Sequence, residues 1–152
     1  MRYSKFENLK LEIYPSSEAS GVAAATAAAE VLQVLGGRNE SIGVIFATGA
    51  SQMDTLRALI TILDLPWDKV RGFHTDEYLG LAADRPASFR RYLREKLTGQ
   101  VRMREFLEVN GTASDPEREC EIYANKLRSA NPQLCLLGIG APRVQRSRCC
   151  RF

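Results

Sequence analysis

The chain has 152 residues, 45% of them hydrophobic and 26% charged, which suffices for one soluble domain with a sizeable core and excludes intrinsic disorder. Its formal net charge is +3, but Arg143, Arg146, Arg148 and Arg151 crowd the last twelve residues, where no acid stands. Taking those four from the 21 basic residues leaves 17 against 18 acidic ones, so the body of the chain is near neutral and gives little electrostatic support to a nucleic-acid partner.

In chain order, Met1 to Ile13 lacks a long apolar core behind its basic residues, and no run of about 18 apolar residues occurs. The reading is of a cytoplasmic protein with no membrane partner. Leu9 to Tyr14 alternates like a short strand, and Pro15-Ser16-Ser17-Glu18 supplies turn and cap chemistry. The alanine-rich stretch Ala19 to Leu35 predicts a helix with Val22, Val31, Leu32 and Leu35 on its apolar side. It should end at Gly36-Gly37 in the left-handed conformation. Ile42 to Ala47 is almost continuously apolar, as in a strand covered on both faces. Ser51 to Leu63 carries Met53, Leu56, Leu59, Ile60 and Leu63 at helical spacing until Pro66-Trp67 breaks it.

Lys69 to Thr75 is the next strand and Leu81 to Pro86 a polar loop. Ala87 to Leu97 predicts a basic amphipathic helix, Phe106 to Val109 a short strand, and Asp115-Pro116-Glu117 the capped start of a helix to Ser129. Gln133 to Ile139 is the last strand, ending in Gly138-Ile139-Gly140. Alternating strands and helices indicate one α/β domain: a Rossmann-like, mostly parallel sheet with helices on both faces and right-handed crossovers.

Four cysteines without a Cys-x-x-Cys pair, and a single histidine, indicate neither a zinc site nor a disulfide framework. Cys120 and Cys135 read as free thiols. His74 lies inside a strand and reads as a satisfied core imidazole. Arg90, Arg91, Arg94 and Lys96 read as a solvated helix face.

Two segments carry chemistry. Thr48-Gly49-Ala50-Ser51-Gln52 follows one apolar strand and opens a helix. It fits either a phosphate cradle, where glycine admits the anion and amides and hydroxyls bind it, or an ordinary turn capped by Ser51. Asp76-Glu77 follows the next strand. One of the two could serve as a general base at a strand's carboxyl end, or Asp76 could cap a turn while Glu77 is solvated or ion-paired.

Together, Phe46-Ala47-Thr48-Gly49-Ala50-Ser51, Phe73-His74-Thr75-Asp76-Glu77-Tyr78-Leu79-Gly80-Leu81, Pro86-Ala87-Ser88-Phe89 and Leu136-Leu137-Gly138-Ile139-Gly140 resemble the glucosamine-6-phosphate deaminase (isomerase) family over residues 1–140. The resemblance implies conversion of glucosamine 6-phosphate to fructose 6-phosphate and ammonia without metal or organic cofactor. It makes Asp76 the base that moves a proton between C2 and C1, with Thr48, Gly49, Ala50 and Ser51 holding the sugar phosphate. Glu77 and Tyr78 stand behind that base, and a homo-oligomer is left open. The related 6-phosphogluconolactonases typically carry arginine after Asp-Glu, where this chain has Tyr78. A sugar-phosphate-binding module without turnover is the third reading.

The resemblance stops at Gly140. Where the family continues with a histidine and carboxylates that open the sugar ring, this chain has Ala141 to Phe152, rich in arginine and cysteine. Residues 141–152 are therefore expected to be a disordered, aberrant tail on a C-terminally incomplete sheet. The chain as written is expected to be inactive or nearly so, with apolar edges left exposed.

Overall fold

A computed structural model of the chain describes the backbone of residues 2–6, 9–138 and 149–151, and the side chains of residues 9–138. Strands β1 (Arg2–Phe6) and β2 (Leu9–Ile13) form an antiparallel hairpin. The remaining elements are α1 (Ser17–Gly36), β3 (Ile42–Phe46), α2 (Met53–Thr61), β4 (Val70–His74), β5 (Asp76–Tyr78), α3 (Phe89–Leu93), β6 (Glu105–Leu107), α4 (Pro116–Ala130), β7 (Leu134–Leu136) and β8 (Cys149–Arg151). The helix begun by α3 continues in π-helical form over Arg94–Thr98.

The central sheet has the order β6-β4-β3-β7, with every neighbouring pair parallel. The chain steps from β3 outward to β4 and β6, then returns past β3 to place β7 on its other side. Strand order therefore reverses at β3, and in open parallel sheets ligands occupy the crevice beyond the carboxyl ends at such a reversal. Phe46 lies level with both His74 and Leu136, so β3, β4 and β7 end together.

Alternation along these strands feeds two cores, one for each face. Ile42, Val44 and Phe46 pack with Ala25, Ala28, Ala29 and Leu32 of α1, Leu56 and Leu59 of α2, and Leu93 and Leu97 of the α3 helix. Phe73 of β4 joins Val109 and Tyr123, with Ile45, Leu107 and Leu127 around them, and so faces α4. The sheet carries helices on both faces, as the alternation predicts.

Local departures have physical causes. In α1 the buried face is the small-residue stripe Gly21, Ala25, Ala28, Ala29 and Leu32, while Val22 and Val31 are exposed. Close approach of α2, not bulk, selects the inward side. By length and composition α1 could cross a membrane, but packing that stripe against α2 and the sheet is the arrangement of a core helix. Gly37 is right-handed, at φ −72°, rather than left-handed; its amide still closes the helix end on Gln33 and Leu35. Helix α2 stops at Thr61 because the chain turns through Asp64 at φ +59°, which leaves Leu63 exposed. Strand β2 exposes Leu9, Leu11 and Ile13 instead of entering the main sheet.

Cys120 is disulfide-bonded, against the expectation of a free thiol, whereas Cys135 is free. In the tail, Cys149–Arg151 runs antiparallel to β5, so these three residues adopt an extended pairing that composition did not predict. Residues 141–148 and 152, with Ile139 and Gly140 of the terminal glycine motif, lie outside the described residues.

Candidate functional site

Thr48 and Gly49 follow β3, Thr75 and Asp76 follow β4, and Leu137 and Gly138 follow β7. These strand ends, with Phe89 at the start of α3, enclose a cavity of about 460 Å3. Gly49 takes φ +108°, a conformation that side-chain-bearing residues rarely adopt, and nothing lies within 4 Å of where a Cβ would stand. The bend turns the chain into a 3₁₀ turn over Ala50–Gln52 that leads into α2, and neither start has a side-chain cap. The capped-turn alternative for Ser51 is thus not what the structure contains. Among the described residues no side chain caps the first amides of α2, although Asp54 stands in the same turn.

Gly138 brings β7 hard against this turn: a Cβ there would meet Ser51 Oγ at 2.2 Å. Ser51 and Gln52 line an adjoining cavity of about 330 Å3 together with Leu137 and Gly138. Of the four predicted phosphate residues, Thr48 and Gly49 share a cavity with Asp76 and Ser51 borders the next one. Ala50 lines neither.

The adjacent acids are separated by environment. Asp76 is half-buried at the cavity, and its Oδ1 accepts a 3.0 Å hydrogen bond from Thr75 Oγ1. Glu77 is buried beneath it. Its carboxylate accepts from the Tyr78 amide (2.9 Å), Ser88 Oγ (2.7 Å), and the Phe89 and Arg90 amides (3.1 and 3.0 Å). Arg90 Nε donates to it at 3.0 Å, and Arg90 Nη2 donates to the Leu81 carbonyl at 2.7 Å. Burial raises the Glu77 pKa, but the hydrogen bonds from Arg90, Ser88, Tyr78 and Phe89 outweigh it and hold the carboxyl below its ordinary value. Glu77 is an ionised anchor that ties β5 to the first turn of α3. Arg90 is buried in that anchor, not on the solvated face where its basic neighbours placed it. The signal that could have located it is Ser88, a capping residue just ahead of the helix. Tyr78 packs against Phe89 with the rings tilted and their centroids 4.9 Å apart, and Phe89 forms the aromatic side of the cavity.

His74 is fully enclosed. Its Nε2 accepts the Val109 amide at 2.8 Å, and its Nδ1 lies 2.9 Å from the Asp76 carbonyl. Since an amide only donates and a carbonyl only accepts, the ring is neutral with its proton on Nδ1. Burial pushes its pKa down; the Asp76 carbonyl and the Glu77, Glu108 and Asp76 carboxylates pull it up without offsetting that. Among the described residues no cluster of three or more His, Cys, Asp or Glu side chains is placed to hold a metal ion.

Residues 15–142 match the protein family described as glucosamine-6-phosphate isomerases/6-phosphogluconolactonase. The glucosamine-6-phosphate deaminase of Clostridium acetobutylicum is 33% identical over 115 residues, covering 71% of this chain and 46% of that protein. That of Listeria innocua is 36% identical over 94 residues, covering 62% and 40%. Among solved structures, a monomeric glucosamine-6-phosphate deaminase superposes with a TM-score of 0.73 at 26% identity, over 82% of this chain and 53% of its own. A 6-phosphogluconolactonase from Shewanella baltica does so with a TM-score of 0.73 at 22% identity, over 84% and 55%, a likeness of fold. The chain thus spans about half the length of the relatives it matches.

Proposed function

The chain belongs to the family of glucosamine-6-phosphate isomerases and 6-phosphogluconolactonases, and on that footing we propose that the crevice beyond β3, β4 and β7 binds a sugar phosphate, with Asp76 as its acid–base group. One observation carries the reading: Asp76 and the Thr48-Gly49 turn face a common cavity at the reversal of strand order. The Thr48 and Ser51 hydroxyls and the amides of Gly49 and Ala50 would hold the phosphate at the positive end of α2. That anchor fixes the sugar carbons relative to the Asp76 carboxylate, and positioning of this kind is what a weak base needs to act on a carbon acid or a water.

Two turnovers can use Asp76 as the base, each supported by a different observation. Asp76 is the one ionisable side chain lining this cavity among the described residues. That suffices for lactone hydrolysis, where Asp76 would take the proton of a water attacking the lactone carbonyl and hand it to the ring oxygen as the carbon–oxygen bond breaks, giving a carboxylic acid and an alcohol. The identity to deaminases, and Tyr78 after Glu77, favour the second turnover. There a further group would have to open the ring, Asp76 would remove the C2 proton of the open-chain amino-sugar phosphate and return it to C1, and water adding to the resulting C2 imine would release ammonia.

Calorimetric titration of the 152-residue chain with 6-phosphogluconate and with glucosamine 6-phosphate tests the reading. Saturable binding is expected, weakened about tenfold or more by Thr48→Val with Ser51→Ala through loss of charge-assisted hydrogen bonds. Lactone hydrolysis and ammonia release, assayed in parallel, assign the turnover, and Asp76→Asn should abolish either while leaving phosphate binding intact. No saturable binding, or binding indifferent to the double variant, removes the assignment.

A further inference from the structure

We infer that His74 is a positioning residue whose neutral imidazole fixes the peptide of Asp76 by bridging it to Val109, just beyond β6. The inference rests on the reading of Asp76 as the base. The imidazole spans two strands: Nδ1–H donates to the Asp76 carbonyl at 2.9 Å, and Nε2 accepts the Val109 amide at 2.8 Å. The ring is held from both sides, stacked on Phe106 and edge-on to Tyr123, with centroids 6.0 Å away in each case. The main chain of His74 is fixed as well. Its amide donates to the Tyr123 hydroxyl at 2.8 Å, and that hydroxyl lies 3.0 Å from its carbonyl. The His74 backbone is thus held before Asp76 and the Asp76 carbonyl after its side chain, with the ring joining the two.

Beyond Asp76, the β5 strand is pinned separately, through Glu77 and the start of α3. Asp76 itself has one described side-chain partner, Thr75, so its placement relies on main-chain fixation on either side. Pairing with β8, where Asp76 stands level with Arg151, holds one edge of β5, and the imidazole bridge holds the Asp76 carbonyl; small displacements of a reacting group are costly.

The bridge works in one protonation state. A second proton on Nε2 would set two N–H groups against each other at Val109, so protonation requires that contact to break. The charged or titratable groups around the ring are Asp76 and Glu77 on β5, Glu108 beyond β6 and Tyr123 on α4. All three acids favour the imidazolium. Against them stand burial and the Val109 amide.

Two substitutions divide the bridge. The δ-amide of asparagine occupies the place of Nδ1 and can still donate to the Asp76 carbonyl, whereas the longer glutamine reaches towards Val109 and gives up Asp76. We would record amide hydrogen exchange in the full chain and in His74→Asn and His74→Gln, together with the 15N signals of the single imidazole. Exchange in the 75–78 segment should quicken about tenfold in His74→Gln and about threefold or less in His74→Asn, the scale set by one hydrogen bond, with β3 unchanged. The imidazole should be the Nδ1–H tautomer. Equal quickening in both variants, a uniform change across β3 and β4, or an Nε2–H tautomer overturns the inference. None of these readouts requires turnover, so failure of the sugar-phosphate reading appears separately, as absent binding. Where turnover is found, His74→Gln should lower kcat about tenfold with KM nearly unchanged, because the Thr48–Ser51 anchor is untouched, and His74→Asn should restore most of it.

Discussion

At the scale of single residues, the site places two neighbouring carboxylates in opposite environments. The Glu77 side chain has no exposure; the Arg90 guanidinium balances its charge, and Ser88 and three main-chain amides donate hydrogen bonds to it. A buried charge with that many donors is stabilising only as a complete set, because removing one partner strands the others. Glu77→Gln keeps the shape but turns an NH2 group towards donors and leaves the Arg90 guanidinium uncompensated. Stability should fall by about 3 kcal/mol, seen as a lower urea midpoint at unchanged slope. An equally large loss in Asp76→Asn would contradict this division, since Asp76 borders the cavity and anchors little. Adjacency on an extended segment was enough to predict that the two acids face different ways. Which way each faces was not readable, because it depends on Arg90 arriving from a helix 13 residues away.

At the scale of elements, α4 packs on the far face of the sheet with Leu127 and Ala130 around one fully buried side chain. Tyr123 is fully buried, and its ring packs edge-on against Phe73 with centroids 5.9 Å apart. Its hydroxyl accepts from the His74 amide and lies within donating distance of the His74 and Leu107 carbonyls, at 3.0 and 3.2 Å. One oxygen thereby joins α4 to β4 and β6. Tyr123→Phe preserves the ring packing and strands those polar groups, for an expected loss of about 2 kcal/mol in denaturant unfolding. A change below about 0.5 kcal/mol would mean that the hydroxyl is not a structural link. The existence of α4 was legible from Asp115-Pro116, and Asp115 does cap it, accepting the Arg118 amide at 3.0 Å. Strand β3 was legible from its almost continuous apolar run. The α1 contact face was not, since hydropathy favours its valines whereas close packing against α2 selects glycine and alanine. Strand β5 was hidden as well: three residues with two acids among them carry no apolar period, and the strand exists through its pairing with β8.

At the scale of the molecule, one sheet of short strands and two apolar clusters carry the stability, so a single buried titration has a visible effect. His74 is the only histidine, and burial holds its native pKa below the ordinary value. Below about pH 6.5 the unfolded chain takes up a proton that the native chain refuses, so unfolding binds protons and stability falls with acidification. The His74 contribution is therefore fully present above that pH and is lost as the pH drops towards the depressed native value. The slope can reach about 1.4 kcal/mol per pH unit. Glu77 has the same sign in a lower window. Its native pKa is also depressed, so its contribution holds above the ordinary value of 4.5 and is lost as pH falls through the native one. Unfolding midpoints taken from pH 7.5 to 3.5 should thus decline in two stages, about one window for each group. In His74→Asn the upper stage should vanish while the lower one remains, because asparagine does not titrate and Glu77 is untouched. A decline between about pH 7 and 5 that persists in His74→Asn would place the proton uptake elsewhere and remove the buried, neutral imidazole from the account of stability.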